Sequence, residues 1–149
     1  MKKIDCILFD LDGTLIDTNR LIIESFQHTV RVHQGREATE DEFVPYFGEP
    51  LVGMLERLAP GQSSELIKTY REFNVGKHDE LTTQFPGTAE VLQELKNKGI
   101  TLGVVTSKMK PLAKRGLQLF GLEQFFETIV SMEDTTAHKP NPEPLLKAL

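Results

Sequence analysis

Two carboxylates set two residues apart are the strongest chemical signal in the chain. Residues 10–17 read Asp10-Leu-Asp-Gly-Thr-Leu-Ile-Asp, directly after the mostly apolar Ile4-Asp-Cys-Ile-Leu-Phe. Carboxylates just past the C-terminal end of a strand sit where open α/β sheets bind ligands. Such a pair can divide a covalent mechanism: one carboxylate attacks an electrophile and the other shuttles a proton. Both also suit a hard cation such as Mg²⁺, which prefers oxygen ligands. Gly13 allows a tight turn, and Thr14 can hydrogen-bond the local backbone. An Asp-X-Asp-Gly turn alone can be no more than a solvated acidic turn. The apolar strand before it and the Thr-Leu-Ile-Asp after it argue for a site.

The elements that must position this pair follow from hydrophobic spacing. Residues 4–9 read as a buried strand. Ile22, Ile23, Phe26 and Val30 place a helix over 18–33, with Gly35 as its stop. Thr39 and Glu42 form a capping-box pattern that opens a short helix. Pro45, Gly48 and Pro50 mark a turn. Leu51 to Leu58 and then roughly 63–80 read as two further helices. After Pro86-Gly87 the texture changes. A helix over 89–95 is ended by Gly99, and Ile100–Val105 is a second apolar strand. A helix through Leu112, Leu117 and Phe120 ends near Gly121, and Thr128–Val130 is a short third strand. Lys139-Pro-Asn-Pro-Glu-Pro is a rigid loop, and a helix begins at Leu145. Residues 16–83 therefore read as all helical, an insertion into an alternating strand-helix domain made of 1–15 and 84–149. The fold class is α/β, a mostly parallel Rossmann-like sheet with an inserted helical domain.

Composition narrows the classes of function. The chain has 149 residues, with 39% AVILMFWYC residues and 26% charged, which is globular rather than disordered. Lys plus Arg is 17 and Asp plus Glu is 22, a formal net charge of -5. That balance argues against a general nucleic-acid role. Apolar runs are too short for a helical membrane span. Asp5 and Asp10 interrupt what a secretory leader would keep apolar. The single cysteine excludes an intrachain disulfide. Together these predict a cytoplasmic protein with no membrane and no nucleic-acid partner. Cys6 reads as an inert core residue. His28, His33, His78 and His138 lack metal-ligand spacing and read as surface or structural. The basic run Lys108, Lys110, Lys114 and Arg115 reads as a solvated helix face.

The octapeptide resembles the nucleophile motif of the haloacid dehalogenase superfamily of phosphohydrolases, Asp-X-Asp-Gly-Thr-Leu-(Val/Ile)-Asp. The resemblance extends over the whole chain. The helical insertion looks like that family's C1 cap. Thr106, in Gly-Val-Val-Thr-Ser-Lys, matches the second motif, whose hydroxyl holds a phosphoryl oxygen. Lys139, in Lys-Pro-Asn-Pro-Glu-Pro, matches the third, whose lysine neutralises charge on the nucleophile and the phosphoryl group. Taken singly, a Thr after a strand is commonly a β-former or cap, and a Lys before Pro a solvated loop residue. Order and spacing make the set coherent. By this resemblance Asp10 is the nucleophile, forming an aspartyl-phosphate, and Asp12 protonates the leaving group and then activates water. Mg²⁺ is held by the Asp10 carboxylate and the Asp12 backbone carbonyl. Gly13 and Thr14 are implied substrate contacts, and Ser107 and Lys108 follow Thr106 in a loop that is a candidate phosphate contact, although both read more readily as solvated loop residues. Gly48, Glu49 and Pro50 lie where C1 caps place a substrate-specificity loop, a stretch that also reads as a simple interhelical turn.

Within the superfamily, Asp17-Thr-Asn-Arg-Leu-Ile-Ile-Glu-Ser-Phe-Gln-His-Thr and Tyr70-Arg-Glu-Phe-Asn are similar to PpaX-type pyrophosphatases. Glu127-Thr-Ile-Val through Lys139-Pro-Asn-Pro-Glu-Pro-Leu is similar in these and in phosphoglycolate phosphatases. The implied partner is a small phosphorylated substrate or pyrophosphate. Glu49 departs from the small or apolar residue expected at its position, and a carboxylate there would repel an anionic leaving group. The family's fourth motif, Gly-Asp-X-X-X-Asp or a relative, adds aspartates to the metal site. No Gly-Asp pair occurs in this sequence. The resemblance thus implies a C-terminally truncated chain with weak turnover, its first strand exposed as an apolar edge. It also leaves open a non-catalytic or partner-dependent binding protein.

Overall fold

The computed structural model describes residues 4–47 and 50–149. Its sheet has three parallel strands, β1 (Cys6–Phe9), β4 (Thr101–Val105) and β5 (Thr128–Val130), in the order β1-β4-β5. Leu8 faces Gly103 and Gly103 faces Thr128, so the central strand carries a glycine where both neighbours lean on it. A Cβ at that glycine would come within 2.7 Å of Leu8 Cδ2 and 2.9 Å of Thr128 Cγ2. The sheet belongs to a compact unit that runs to Asp17 and resumes from Thr83 to Leu149. Its core gathers Leu11, Leu15, Ile16, Leu92, Leu102, Val104, Leu117 and Leu122, all essentially buried. Helices α4 (Thr88–Asn97), α5 (Lys110–Leu119) and α6 (Glu143–Ala148) complete it. β1 is an edge strand of this sheet and is only half-buried, and Cys6 on it is half-buried rather than enclosed.

The second compact unit is Thr18–Thr82. Helix α1 (Asn19–Gln34) ends at Gly35, whose φ of 63° closes the last turn in the left-handed conformation. Thr39 and Glu42 form the expected capping box, here on a single 3₁₀ turn over Glu40–Glu42. Helices α2 (Leu51–Leu58) and α3 (Ser63–Leu81) follow. Phe26, Val30, Phe43, Leu55 and Leu66 make this unit's own core, with Phe26 stacked on Phe43 at 5.0 Å. His28 stacks on Phe73 at 4.5 Å, and His33 Nε2 lies 2.8 Å from Thr69 Oγ1. His78 is fully buried, with Nδ1 2.8 Å from Asp79 Oδ1. These three histidines are structural.

Three boundaries differ from the sequence reading. Residues 16–83 are not helical throughout: β2 (Ile16–Asp17) and β3 (Thr83–Gln84) pair antiparallel where the chain leaves the sheet unit and returns to it. Two-residue strands are too short to show a period of two. Helix α5 starts at Lys110 rather than Leu112, and α6 at Glu143 rather than Leu145. In both, a proline sits in the first helical turn, Pro111 in α5 and Pro144, which the sequence reading put in a loop, in α6, where its missing N–H costs nothing. Among the described residues no helix is long and apolar enough to cross a membrane.

Candidate active site

Alternation along the extended chain sets up the acidic pair. Leu11 is fully buried, so Asp10 and Asp12 on either side of it turn the other way, Asp10 exposed and Asp12 half-buried. The chain then folds back tightly. The Leu11 carbonyl accepts from the N–H groups of Thr14, Leu15 and Ile16, and Gly13 N–H donates to the Ile16 carbonyl at 2.8 Å. Gly13 has φ 79°, a conformation that would strain any side chain. Buried Leu15 and Ile16 fasten the far end of this loop. Gly13 and Thr14 lie exposed on it.

Parallel pairing places the end of β4 beside this loop, since Phe9 faces Val104. Thr106 follows β4 and is buried. Its N–H donates to the Val130 carbonyl at 2.9 Å, extending the β4–β5 ladder by one rung. Its Oγ1 accepts from the Lys108 N–H at 3.1 Å. A hydroxyl used this way keeps its own proton to donate to an oxyanion. Ser107 is exposed beside it. The Lys108 carbonyl accepts from the Met132 N–H at 3.0 Å, which ties the loop to the segment after β5. That segment is itself capped. Asp134 accepts from the Ser131 N–H and hydroxyl and from Lys110 Nζ at 2.7 Å. The Lys110 ammonium first, and then the Ser131 donors, hold the Asp134 carboxyl well below the usual carboxylate range.

Lys139 reaches back across the strand ends. Its Nζ donates to Asp10 Oδ1 at 2.8 Å and to the Val105 carbonyl at 3.0 Å. The loop carrying it is pinned by Glu143, which accepts from the Thr136 and Ala137 N–H groups, and by the Asn141 N–H bond to the His138 carbonyl. Those backbone donors lower the Glu143 pKa. Asp10, Asp12, Thr106 and Lys139 therefore belong to one cluster at the C-terminal ends of β1 and β4.

Lys108 departs from the sequence reading. It precedes α5, its side chain is only 14% exposed, and its Nζ donates to Asp12 Oδ1 at 3.0 Å. The rest of the basic run keeps its exposure: Lys110 and Lys114 are 40% and 49% exposed on α5, Lys110 pairing with Asp134 and Lys114 Nζ lying 4.0 Å from Glu123. No local signal marks Lys108, because its partner is 96 residues away. Pro50 stands exposed at the start of α2 in the other unit, and Gly48 and Glu49 lie outside the described residues.

The oxygen donors at the strand ends, the Asp10 carboxylate and the Asp12 backbone, are the hard type that Mg²⁺ takes. That ion commonly needs only one or two carboxylates beside substrate oxygens and water. Among the described residues no three His, Cys, Asp or Glu side chains gather into a metal-holding group. Two surface hollows of about 300 Å³ and 320 Å³ include none of Asp10, Asp12, Thr106 or Lys139. Charge and backbone geometry mark the site.

Residues 7–149 match the model of the haloacid dehalogenase-like hydrolases. The chain belongs to that family. A protein of Caldanaerobacter subterraneus subsp. tengcongensis, provisionally named pyrophosphatase PpaX, is 51% identical over 147 residues, covering 99% of this chain and 67% of its own. Pyrophosphatase PpaX of Halalkalibacterium halodurans is 42% identical, with 99% and 68% covered. Among solved structures, a provisionally assigned haloacid dehalogenase-like hydrolase from Bacteroides fragilis superposes with a TM-score of 0.87 at 29% identity, over 98% of this chain and 71% of that one. The parallel sheet flanked by helices is thus the fold of this hydrolase family.

Proposed function

We propose that this hydrolase is a phosphatase that works through an aspartyl-phosphate on Asp10, with pyrophosphate or a small phosphate monoester as substrate. The observation that carries the reading is the Lys139 ammonium, held 2.8 Å from Asp10 Oδ1 by a second bond to the Val105 carbonyl. Phosphoryl transfer needs an in-line nucleophile and fixed positive charge for the equatorial oxygens. An Asp10 oxygen attacks phosphorus as the bond to the leaving group breaks. Lys139 and the Thr106 hydroxyl bind the phosphoryl oxygens. Asp12 gives its proton to the leaving group and then takes one from the water that cleaves the aspartyl-phosphate. Gly13 and Thr14 line the loop next to the attacking carboxylate, and Ser107 stands at the rim.

The Asp10 carboxylate and the Asp12 backbone carbonyl are the residues that would hold Mg²⁺, which supplies further positive charge beside the phosphoryl group. Pyrophosphate is favoured as substrate by the PpaX relatives, which share 42–51% of their residues with this chain over 147 positions. The cap positions Gly48, Glu49 and Pro50 remain the proposed specificity loop. The cytoplasm is the proposed compartment, on the single half-buried cysteine and the acidic composition.

The test is a substrate panel of pyrophosphate, phosphoglycolate and ethyl phosphate, measured with the protein and with Asp10→Asn. Turnover by the protein and its loss in Asp10→Asn are expected, by about 10³-fold or more. Turnover that survives in Asp10→Asn would show that another group attacks phosphorus.

A further inference from the structure

Lys139 is held at its base as well as at its tip. It stands near the middle of a short loop, residues 136–143. Across the mouth of that loop, Glu143 Oε1 accepts from the Thr136 N–H at 3.1 Å and Oε2 from the Ala137 N–H at 2.9 Å. The Thr136 hydroxyl lies 3.3 Å from Oε2. One step inward, the Asn141 N–H donates to the His138 carbonyl at 2.9 Å, and Asn141 Oδ1 accepts from the Glu143 N–H at 2.9 Å. Pro140 and Pro142 restrict the backbone between these bonds. The chain is thus bound to itself on both sides of Lys139.

Glu143 opens α6, and an acid in a first helical turn commonly complements the helix's own N–H groups. Here both oxygens turn to the loop before the helix instead. Two N–H donors need two acceptors. A glutamine of the same shape would bring one oxygen and an NH₂ group that opposes the other donor. The lysine tip depends on this clamp. Lysine carries its ammonium on a flexible four-carbon stem, so its place beside Asp10 is set by where its backbone is held.

We propose that Glu143 is the positioning residue of Lys139, fixing the loop from which the ammonium reaches Asp10 and the transferred phosphoryl group. This rests on the phosphatase reading above and adds to it a residue that acts through Lys139. The bonds of Lys139 to Asp10 and to the Val105 carbonyl define the position that Glu143 serves.

The experiment is a double-mutant cycle. kcat/KM on pyrophosphate, phosphoglycolate and ethyl phosphate is measured for the protein, Glu143→Gln, Lys139→Met and the two together, with Tm recorded for each. Glu143→Gln should lose about 30-fold alone and under about 2-fold in the Lys139→Met background. The factor should be the same on every substrate turned over, because Lys139 meets the group they share. Glu143→Asp keeps both acceptors and should lose no more than about 5-fold, again only where Lys139 is present. It carries the comparison if the glutamine variant does not fold. Lys147→Met removes the other tie of α6, from Nζ to the Asp134 carbonyl at 2.6 Å, and should cost under about 2-fold. A further readout needs no turnover. Acetylation of Lys139 by acetic anhydride, followed by mass spectrometry with exposed Lys98 as reference, should quicken about 3-fold or more in Glu143→Gln. No loss in Glu143→Gln, equal losses with and without Lys139, a Lys147→Met loss as large, or unchanged labelling of Lys139 would overturn the proposal and leave Glu143 a strut of α6. The two readings fail differently. Asp10-dependent turnover with additive losses removes only the role of Glu143, whereas turnover independent of Asp10, or none at all, removes the phosphatase reading and this one with it.

Discussion

Asp10 and Lys139 are 129 positions apart in the chain and 2.8 Å apart in space. The pair is a third to a half exposed, so its contribution to stability is small, about 0–1 kcal/mol after solvent screening. Its contribution to a reaction that gathers negative charge at the same spot is far larger. Lys139→Met should therefore lower kcat/KM by roughly 10²- to 10³-fold while moving Tm by no more than about 3 °C. A Tm collapse accompanying the lost turnover would mean that Lys139 is a structural strut and not a charge reserved for substrate. At this scale the acidic pair was legible, because Asp10-Leu-Asp-Gly is local and follows an apolar strand. Thr106 and Lys139 were legible only through family resemblance, since neither residue type predicts a partner by itself. Lys108 was singled out with Ser107 as a candidate phosphate contact or a solvated loop residue, but its bond to Asp12 was not legible, because a lysine in a loop carries no local mark of a carboxylate on another strand's end.

Two elements show what holds the site in register. Gly103 on the central strand sits where Leu8 and Thr128 close over it. Gly103→Ala should destabilise the fold by about 1–3 kcal/mol, read from denaturant midpoints, because both side chains must leave their positions. Full wild-type stability would mean that the Leu8 end swings aside without cost. The loop after β5 is held by Asp134, whose pKa is depressed by Lys110 and Ser131. A depressed carboxyl stabilises the fold above its unfolded pKa, about 4, and that contribution is lost as pH falls through the lower, folded value. Asp134→Asn should thus lower Tm at pH 7 and flatten the fall of Tm below about pH 4. An unchanged slope there would assign the acid sensitivity to other carboxylates. Most elements were readable from spacing because their apolar faces are long, as in α1 and α3. β2 and β3 were not, being two residues each, and the starts of α5 and α6 were obscured by prolines that a first helical turn accepts.

At the scale of the whole molecule, the sequence reading of an inserted helical segment meets a chain with two hydrophobic cores that have no residue in common. Leu117 and Leu122 belong to one, Leu55 and Leu66 to the other, and the backbone crosses between the units twice, at Asp17–Thr18 and Thr82–Thr83. Cooperative unfolding follows shared burial, so each core should define its own transition. Leu55→Ala and Leu117→Ala each remove a fully buried side chain and should cost about 2–5 kcal/mol. In scanning calorimetry, Leu55→Ala is expected to lower one transition and leave the other in place, with Leu117→Ala doing the converse. Turnover monitored across the same temperatures should be lost with the transition that Leu117→Ala moves, because Asp10, Thr106, Lys108 and Lys139 all stand on that unit. A single transition shifted equally by both substitutions would show that the helical insertion and the sheet unit melt as one body, and that the separation of their cores does not extend to their stability.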